Sequence, residues 1–360
     1  MTDFAFQSPD PTNPAKPHRR RPRYAGTHPR RFDEKYKEHD PKRYAGTVAK
    51  VLASGKTPAG SHRPIMVAEI LEVLAPRPGE IAVDCTLGYG GHAQELLRRI
   101  LPGGRLLALD ADPIELPKAE ARLRAAGFGP DVFTAVRSNF AGLPQALAKA
   151  GFNRADCILA DLGVSSMQLD DPTRGFSVKV EGPLDLRMNP QRGLPASMLL
   201  EKCSPDALAR LLQDNADEPY AAELSVALAK RSFSTTIALA AAIRRALIRV
   251  PGDDQDLSIR RVFQALRIAV NDEYSALDML LRHLPACLNP GGRVAILAFH
   301  SGEDRRVKRA FDAGLRDRHY DAIAREILRP AVGERYTNPR SSSAKLRWAR
   351  RLTGSVHQIA

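Results

Sequence analysis

Ile81-Ala-Val-Asp-Cys-Thr-Leu-Gly-Tyr-Gly-Gly-His92 is the stretch that decides the fold. It begins apolar, with the β-branched Ile81 and Val83, enters from the turn Pro76-Arg77-Pro78-Gly79, and reads as a buried strand. The glycines then break the strand, and Ala93–Ile100 continues as a helix. A strand, a glycine turn and a helix make the first unit of a nucleotide-binding α/β sheet, whose ligand lies at the carboxyl edge of the strands. A second strand, Arg105–Leu109, ends in Asp110, about 20 residues past the glycines, where a carboxylate accepts the hydrogen bonds of a ribose diol.

The spacing Gly88-x-Gly90-Gly91 differs from the G-x-G-x-x-G that lays a helix start on a pyrophosphate. A ligand with ribose and base but no phosphate suits it, and S-adenosylmethionine is such a ligand; a tight connection with no ligand is the other reading of the same glycines. Outward from this unit the alternation continues. Met66–Leu74 reads as a helix before it; after it come the helix Pro117–Ala126, the strand Val132–Arg137 near Asn139-Phe140, the helix Leu143–Ala150 and the strand Cys157–Ala160 closing on Asp161. This rhythm predicts a parallel sheet with right-handed crossovers.

The rhythm then stops. The next strand is Arg293–Phe299, and from Asp161 to Gly291 is 130 residues, where one crossover unit needs about 30. The excess reads as helices around Leu199-Leu200, Asp206–Gln213, Tyr220–Arg231 and Ile237–Arg249, an inserted helical domain. Ser258–His283 reads as the delayed crossover helix and Ala344–Arg351 as a final edge strand. The expected division is a tail at 1–60, a sheet domain at 61–172 and 259–354, and an all-helical insert at 173–258.

Composition narrows the classes. The 360 residues are 43% hydrophobic, enough for a real core, and no apolar run reaches the roughly 18 residues of a membrane span. Met1–Pro14 lacks a signal-peptide apolar region. Cys85, Cys157, Cys203 and Cys287 are scattered, which argues for free thiols in a reducing cytoplasm and against a disulfide framework or a metal site. The net charge is +13, and residues 1–61, with 13 Lys/Arg against 6 Asp/Glu, carry +7 of it. Nucleic acid is the first partner such a charge suggests and a membrane surface the second; a solvated basic face is the alternative. Residues 1–60 hold few aliphatics and read as disordered. Within them Arg-Tyr-Ala-Gly-Thr occurs at 23–27 and 43–47, either a pair of base-stacking segments or drift in a solvated tail.

The strand ends supply the chemistry. Asp161, helped by Ser165 or Ser166, can accept the N–H of an exocyclic base amine and draw its nitrogen toward tetrahedral geometry; equally, Asp161 is placed to cap a helix. His300 closes the fifth strand and is either a general base or a packing residue, while His92 beside the glycines orients a cofactor. Arg305, Arg306 and Lys308 are in reach of phosphates. Arg340, in the turn Asn338–Ala344, makes either a phosphate contact or part of a plain loop.

Several blocks together resemble the bacterial small-subunit ribosomal RNA cytosine-N4 methyltransferases, the RsmH or MraW family. They are His62–Glu69, Asp84–His92, Leu106–Pro113, Asp161–Asp171, Arg174–Ser177, Gly182–Met188, Phe263–Asn271, Phe299–Arg305 and Asn338–Arg340. The resemblance implies a Rossmann-like class I S-adenosylmethionine-dependent domain with a helical insert, and methylation of the N4 amine of a cytosine near the decoding centre. It implies cofactor contacts at Gly90, Gly91, His92, Asp110, Phe140, Asp161 and Gln168, and an acceptor side shaped by Gly182–Met188, with Arg187 among the RNA-facing residues. The implied partner is small-subunit ribosomal RNA or the assembling small subunit in the cytoplasm, with no membrane, and a homodimer left open. A DNA amino-methyltransferase and a non-catalytic assembly factor are the rival readings. The chain departs from the family at Cys85 (usually glycine), Tyr89 (usually arginine), Gly302 (usually leucine) and Ser342 (near a usual arginine).

Overall fold

The structure is a computed structural model that describes Pro64–Gly354; the tail reading for residues 1–60 lies outside the described residues. Seven strands form one sheet in the order β3-β2-β1-β4-β5-β7-β6. They are β1 Ile81–Asp84, β2 Arg105–Asp110, β3 Phe133–Arg137, β4 Ala155–Asp161, β5 Leu288–Ala298, β6 Tyr320–Ile323 and β7 Lys345–Arg351. The first five are parallel, and β7 runs antiparallel to both β5 and β6. Chain order reverses between β1 and β4, and a crevice at the carboxyl edge of such a switch point is where doubly wound sheets hold ligands.

Alternate residues of each central strand feed two cores. Ala82, Leu106, Ala108 and Leu159 pack under α1 (Val67–Leu74), α2 (Gly91–Ile100) and α3 (Glu115–Ala125). Val83, Leu107, Ile158 and Ile296 pack on the opposite face with α4 (Leu143–Lys149). A short helix, α5 (Ser166–Asp170), follows β4, and the chain then enters a separate helical core. That core holds α6 (Ala196–Lys202), α7 (Pro205–Ala216), α8 (Ala221–Leu228), α9 (Thr236–Ala246) and the inner side of α10 (Gly252–Val270) through Leu266.

Three expectations change. The helix expected over Ser258–His283 is two helices, α10 and α11 (Glu273–Cys287). The break falls at Asn271-Asp272, where Asp272 takes φ +51° and the Asn271 amide is used by the chain on both sides. The turn lets α10 pack in the helical core while Leu277, Leu280 and Leu284 of α11 pack on the sheet. The boundary expected at 258 therefore falls inside α10. Finally, Lys345–Arg351 is not the edge strand: β6 lies outside it, preceded by α12 (Ser301–Arg316). A four-residue strand behind the polar Asp317-Arg318-His319 has too little alternation to be seen in sequence.

Candidate active site

A cavity of about 630 Å³ opens at the carboxyl edge, in the size range of small-molecule sites. The ends of β2 and β4 and the loop after β1 border one half of it; the α10–α11 junction and the start of α12 border the other. Asp110 and Asp161 open onto this single cleft.

Backbone groups position the first half. Asp110 Oδ2 accepts the Gly88 N–H at 2.8 Å and Oδ1 accepts the Asp112 N–H at 2.8 Å, so strand β2 and the glycine loop fix the carboxylate together. Gly88 has φ +50°, and a Cβ there would meet only the Thr86 carbonyl oxygen, at 3.8 Å. The other two glycines do different work. Gly90, expected to contact the cofactor, does not border the cavity; at φ +88° it begins α2 with its α-carbon turned to Leu123. Gly91 borders the cavity, but a Cβ there would collide with Pro64. Phe140 stands in the short 3-10 turn after β3 and borders the cavity. Gln168 also borders it, with its amide tied in: Oε1 accepts the Ser165 N–H at 2.8 Å and Nε2 donates to Asp112 Oδ2 at 2.7 Å.

Asp84 ends β1 almost fully buried, its Oδ1 accepting the Thr86 N–H while Oδ2 has no hydrogen-bond partner among the described residues. Burial pushes both Asp84 and Asp110 up to about 6. Thr86 also locks Asp161, accepting its backbone N–H at 2.7 Å. Asp161 Oδ2 lies 3.5 Å from His92 Nε2, and its Oδ1 is buried with no hydrogen-bond partner among the described residues. Burial presses the His92 imidazole toward neutrality, but Asp161 and then Asp84 outweigh it and hold its pKa above the ordinary value. His92 therefore addresses the carboxylate of Asp161.

The second half is held by side chains. His300 caps α12: its Nδ1 accepts the Glu303 N–H at 3.4 Å, and its Nε2 lies 3.1 Å from Glu303 Oε1. Both imidazole nitrogens thus face Glu303, and the ring borders the cavity as a cap. Glu303 is buried, yet His300 and then Arg267 hold its carboxyl below the usual range. Arg267 donates to both oxygens of Glu273 at 2.8 and 2.9 Å. Ligand atoms of Glu273, His300 and Glu303 lie within 4.8 Å of one another, but Arg267 already claims both oxygens of Glu273. The Ser165 hydroxyl caps α5 by accepting the Gln168 N–H at 3.2 Å; the side chain of Ser166 lies outside the described ones.

Residues singled out for RNA are dispersed. Arg187 is bound at 2.7 Å to both oxygens of Asp185 and also donates to the Gly193 carbonyl. Arg305 pairs with Asp217 just past the end of α7, and Arg306 lies 3.5 Å from Asp278 with its guanidinium over the Tyr274 ring. Lys308 is exposed, and Arg340 borders the cavity. Sequence reasoning missed Asp84, Thr86, Asp112, Arg174, Arg267 and Glu273 as site builders. Asp112 and Arg174 form a buried ion pair at 2.8 Å that ties the end of β2 to the insert; Arg174 donates on to the Arg187 and Met188 carbonyls. The departure at position 302 also has a local cause, since a side chain there would strike the Tyr274 hydroxyl, which donates to the Asn215 carbonyl at 2.9 Å.

The sequence pattern of the MraW methylase family matches residues 59–352. The chain is 47% identical over 349 residues to "Ribosomal RNA small subunit methyltransferase H 1" of Lachnoclostridium phytofermentans, covering 94% of this chain and 95% of that protein. It is 50% identical over 339 residues to "Ribosomal RNA small subunit methyltransferase H 2" of Alkaliphilus metalliredigens, covering 92% and 97%. Among solved structures, TrmN from Thermus thermophilus aligns at a TM-score of 0.39 and 15% identity, over 86% of this chain and 53% of that one.

Proposed function

Because the chain belongs to the MraW methylase family, we propose that it transfers the methyl group of S-adenosylmethionine to the N4 amine of a cytosine in small-subunit ribosomal RNA. What carries this reading is the buried Asp161 Oδ1, with no hydrogen-bond partner among the described residues, in a cleft shared with Asp110.

The residues fit the cofactor. Asp110 and Asp161 on the cleft and Asp84 buried next to its lining residue Cys85, with Asp84 Oδ2 and Asp161 Oδ1 lacking a hydrogen-bond partner among the described residues, suit a ligand that carries positive charge at sulfur and at its amino group. Asp110 would hold the ribose hydroxyls, Phe140 would lie against adenine, and Gly88 leaves room for close approach. When bound, S-adenosylmethionine supplies an electrophilic methyl group.

The chain's own task is to present the amine. A cytosine N4 is a weak nucleophile because its lone pair is delocalised into the ring. Asp161 accepts one N–H, which draws the nitrogen toward tetrahedral geometry, and then takes the proton the methylated nitrogen must lose. Thr86 fixes its backbone and the His92 imidazole faces its other oxygen at 3.5 Å, so the acceptor oxygen is aimed before substrate arrives. A paired cytosine cannot reach this oxygen, so the target is unpaired or extruded. On this reading the enzyme works in the cytoplasm, on ribosomal RNA or the assembling small subunit. No helix among the described residues is long and apolar enough to cross a membrane.

The test is a parallel assay with labelled S-adenosylmethionine on immature small subunits, free small-subunit RNA and naked DNA. Label on cytosine N4 of either ribosomal substrate supports the proposal; label confined to DNA, or none with the cofactor bound, rejects it.

A further inference from the structure

Several cations singled out for RNA are paired within the chain, yet another set is not. Arg154, just before β4, Arg282 on α11, Arg309 on α12 and Arg351 at the end of β7 border one groove of about 890 Å³, together with Arg306 and His319. The acids on its walls are Asp278, which lies beside Arg306, and Asp317. Among the described residues, Arg154, Arg282, Arg309 and Arg351 have no carboxylate within ion-pair distance. Five arginines thus face two aspartates. Arg351 donates to the Leu288 carbonyl, and burial first, then the nearby Arg154 charge, pulls its pKa below the usual arginine value.

The groove lies at the amino-terminal edge of the sheet, opposite the catalytic cleft, because β4 begins there and the antiparallel β7 ends there. Two helices join the two edges. Glu273 and Glu303, at the starts of α11 and α12, border the catalytic cavity, while Arg282 and Arg309 lie further along the same helices. From Glu273 to Arg282 is about 13 Å at 1.5 Å per residue. Arg306 bridges the two ends, with its guanidinium 3.8 Å from the Tyr274 ring centroid and Tyr274 beside His300.

Cations spaced along a path, without internal counter-charges, match a ligand whose negative charge repeats, and arginine is well shaped for phosphate oxygens. We propose that this groove holds the phosphodiester backbone of the RNA strand whose target base enters the catalytic cleft, leading it along α11 and α12 to the amino-terminal edge. The inference rests on the RNA reading above. The groove contributes affinity and register, with no part in methyl transfer.

The test uses the full chain with Arg154→Ala, Arg282→Ala and Arg309→Ala combined, all three being exposed positions. A second triple, Arg77→Ala, Arg98→Ala and Arg99→Ala, removes the same charge from exposed positions elsewhere. Binding of deproteinised small-subunit ribosomal RNA is followed from low to moderate salt, beside S-adenosylmethionine affinity and steady-state kinetics. The groove triple should bind RNA about tenfold or more weakly, with the slope of log affinity against log salt reduced by about 2, at roughly 0.7 per lost phosphate contact. KM for RNA should rise in step, while kcat and cofactor affinity stay within about twofold of the parent. The control triple should show a clearly smaller loss, and lysine at the three groove positions should restore most of the binding. A groove triple no weaker than the control, with the same salt slope, overturns the proposal; so does a parent protein that binds no RNA. A parent that binds the RNA without methylating it discredits the proposed reaction, and the groove is then judged on binding alone.

Discussion

The two halves of the catalytic cleft are fastened by different bonds. On the cofactor side, backbone groups do the positioning: Gly88 and Asp112 amides hold Asp110, and the Asp161 amide is pinned by Thr86. On the acceptor side, side chains do the fastening: Arg174 pairs with the sequence-distant Asp112, Arg267 with Glu273 across the α10–α11 junction, and the Asn271 amide with the backbone of the distant Leu186–Met188 turn. A strand end aims its last residue as soon as the strand is paired. A side-chain pair aims nothing until both partners have folded around it.

The largest effect expected from this division is at Asp161, where the halves meet. Asp161→Ala should lower turnover by about 10²–10⁴, the usual contribution of a positioned acid or base, with a much smaller change in S-adenosylmethionine affinity. Single-turnover methyl transfer beside calorimetric binding separates the two; a near-normal rate removes Asp161 from the chemistry. Next is Arg174→Met, which leaves the buried Asp112 carboxylate without its counter-charge, held only by Gln168 and the Ile114 and Glu115 amides. Its cost should be about 3–5 kcal/mol in denaturant unfolding, partly recovered by adding Asp112→Asn. A loss under about 1 kcal/mol would mean the insert is not held by this pair.

A pH series sharpens the contrast on the cofactor side. Asp84 and Asp110 are raised to about 6 by burial, so a cationic cofactor should bind progressively more weakly as pH falls from 7.5 to 5. In the free protein the sign is opposite. Their stabilising contribution is fully present below the ordinary carboxylate value of 3.8 and is lost as pH rises through about 6. Cofactor affinity unchanged between pH 7.5 and 5 would exclude both carboxylates from binding. The smallest effect belongs to Arg305→Ala. Its pair with Asp217 is 47% and 55% exposed, so thermal unfolding should report less than about 1 kcal/mol.

The same contrast explains what could be read from sequence. The five parallel strands announced themselves by apolar runs, and Asp110 and Asp161 by standing at strand ends. Asp84 stood in plain sight but looked like strand, because its role follows from burial, which no spacing encodes. The break at Asn271-Asp272 was hidden because apolar residues continue at helical spacing on both sides of it. Gly90 shows the converse: a glycine in a cofactor loop suggests approach to a ligand, and the fold also uses it for the turn into α2 and the contact with Leu123, which no spacing reveals. Arg174 and Asp112 lie 62 residues apart and meet only in the assembled fold.

The most direct test maps N4-methylcytosine in small-subunit ribosomal RNA from cells lacking this gene, with and without a plasmid copy of the enzyme or of its Asp161→Ala form. We expect one cytosine to lose its methyl group and to regain it only with the intact enzyme. An unchanged methylation map, or full restoration by the Asp161→Ala form, would contradict the proposed chemistry.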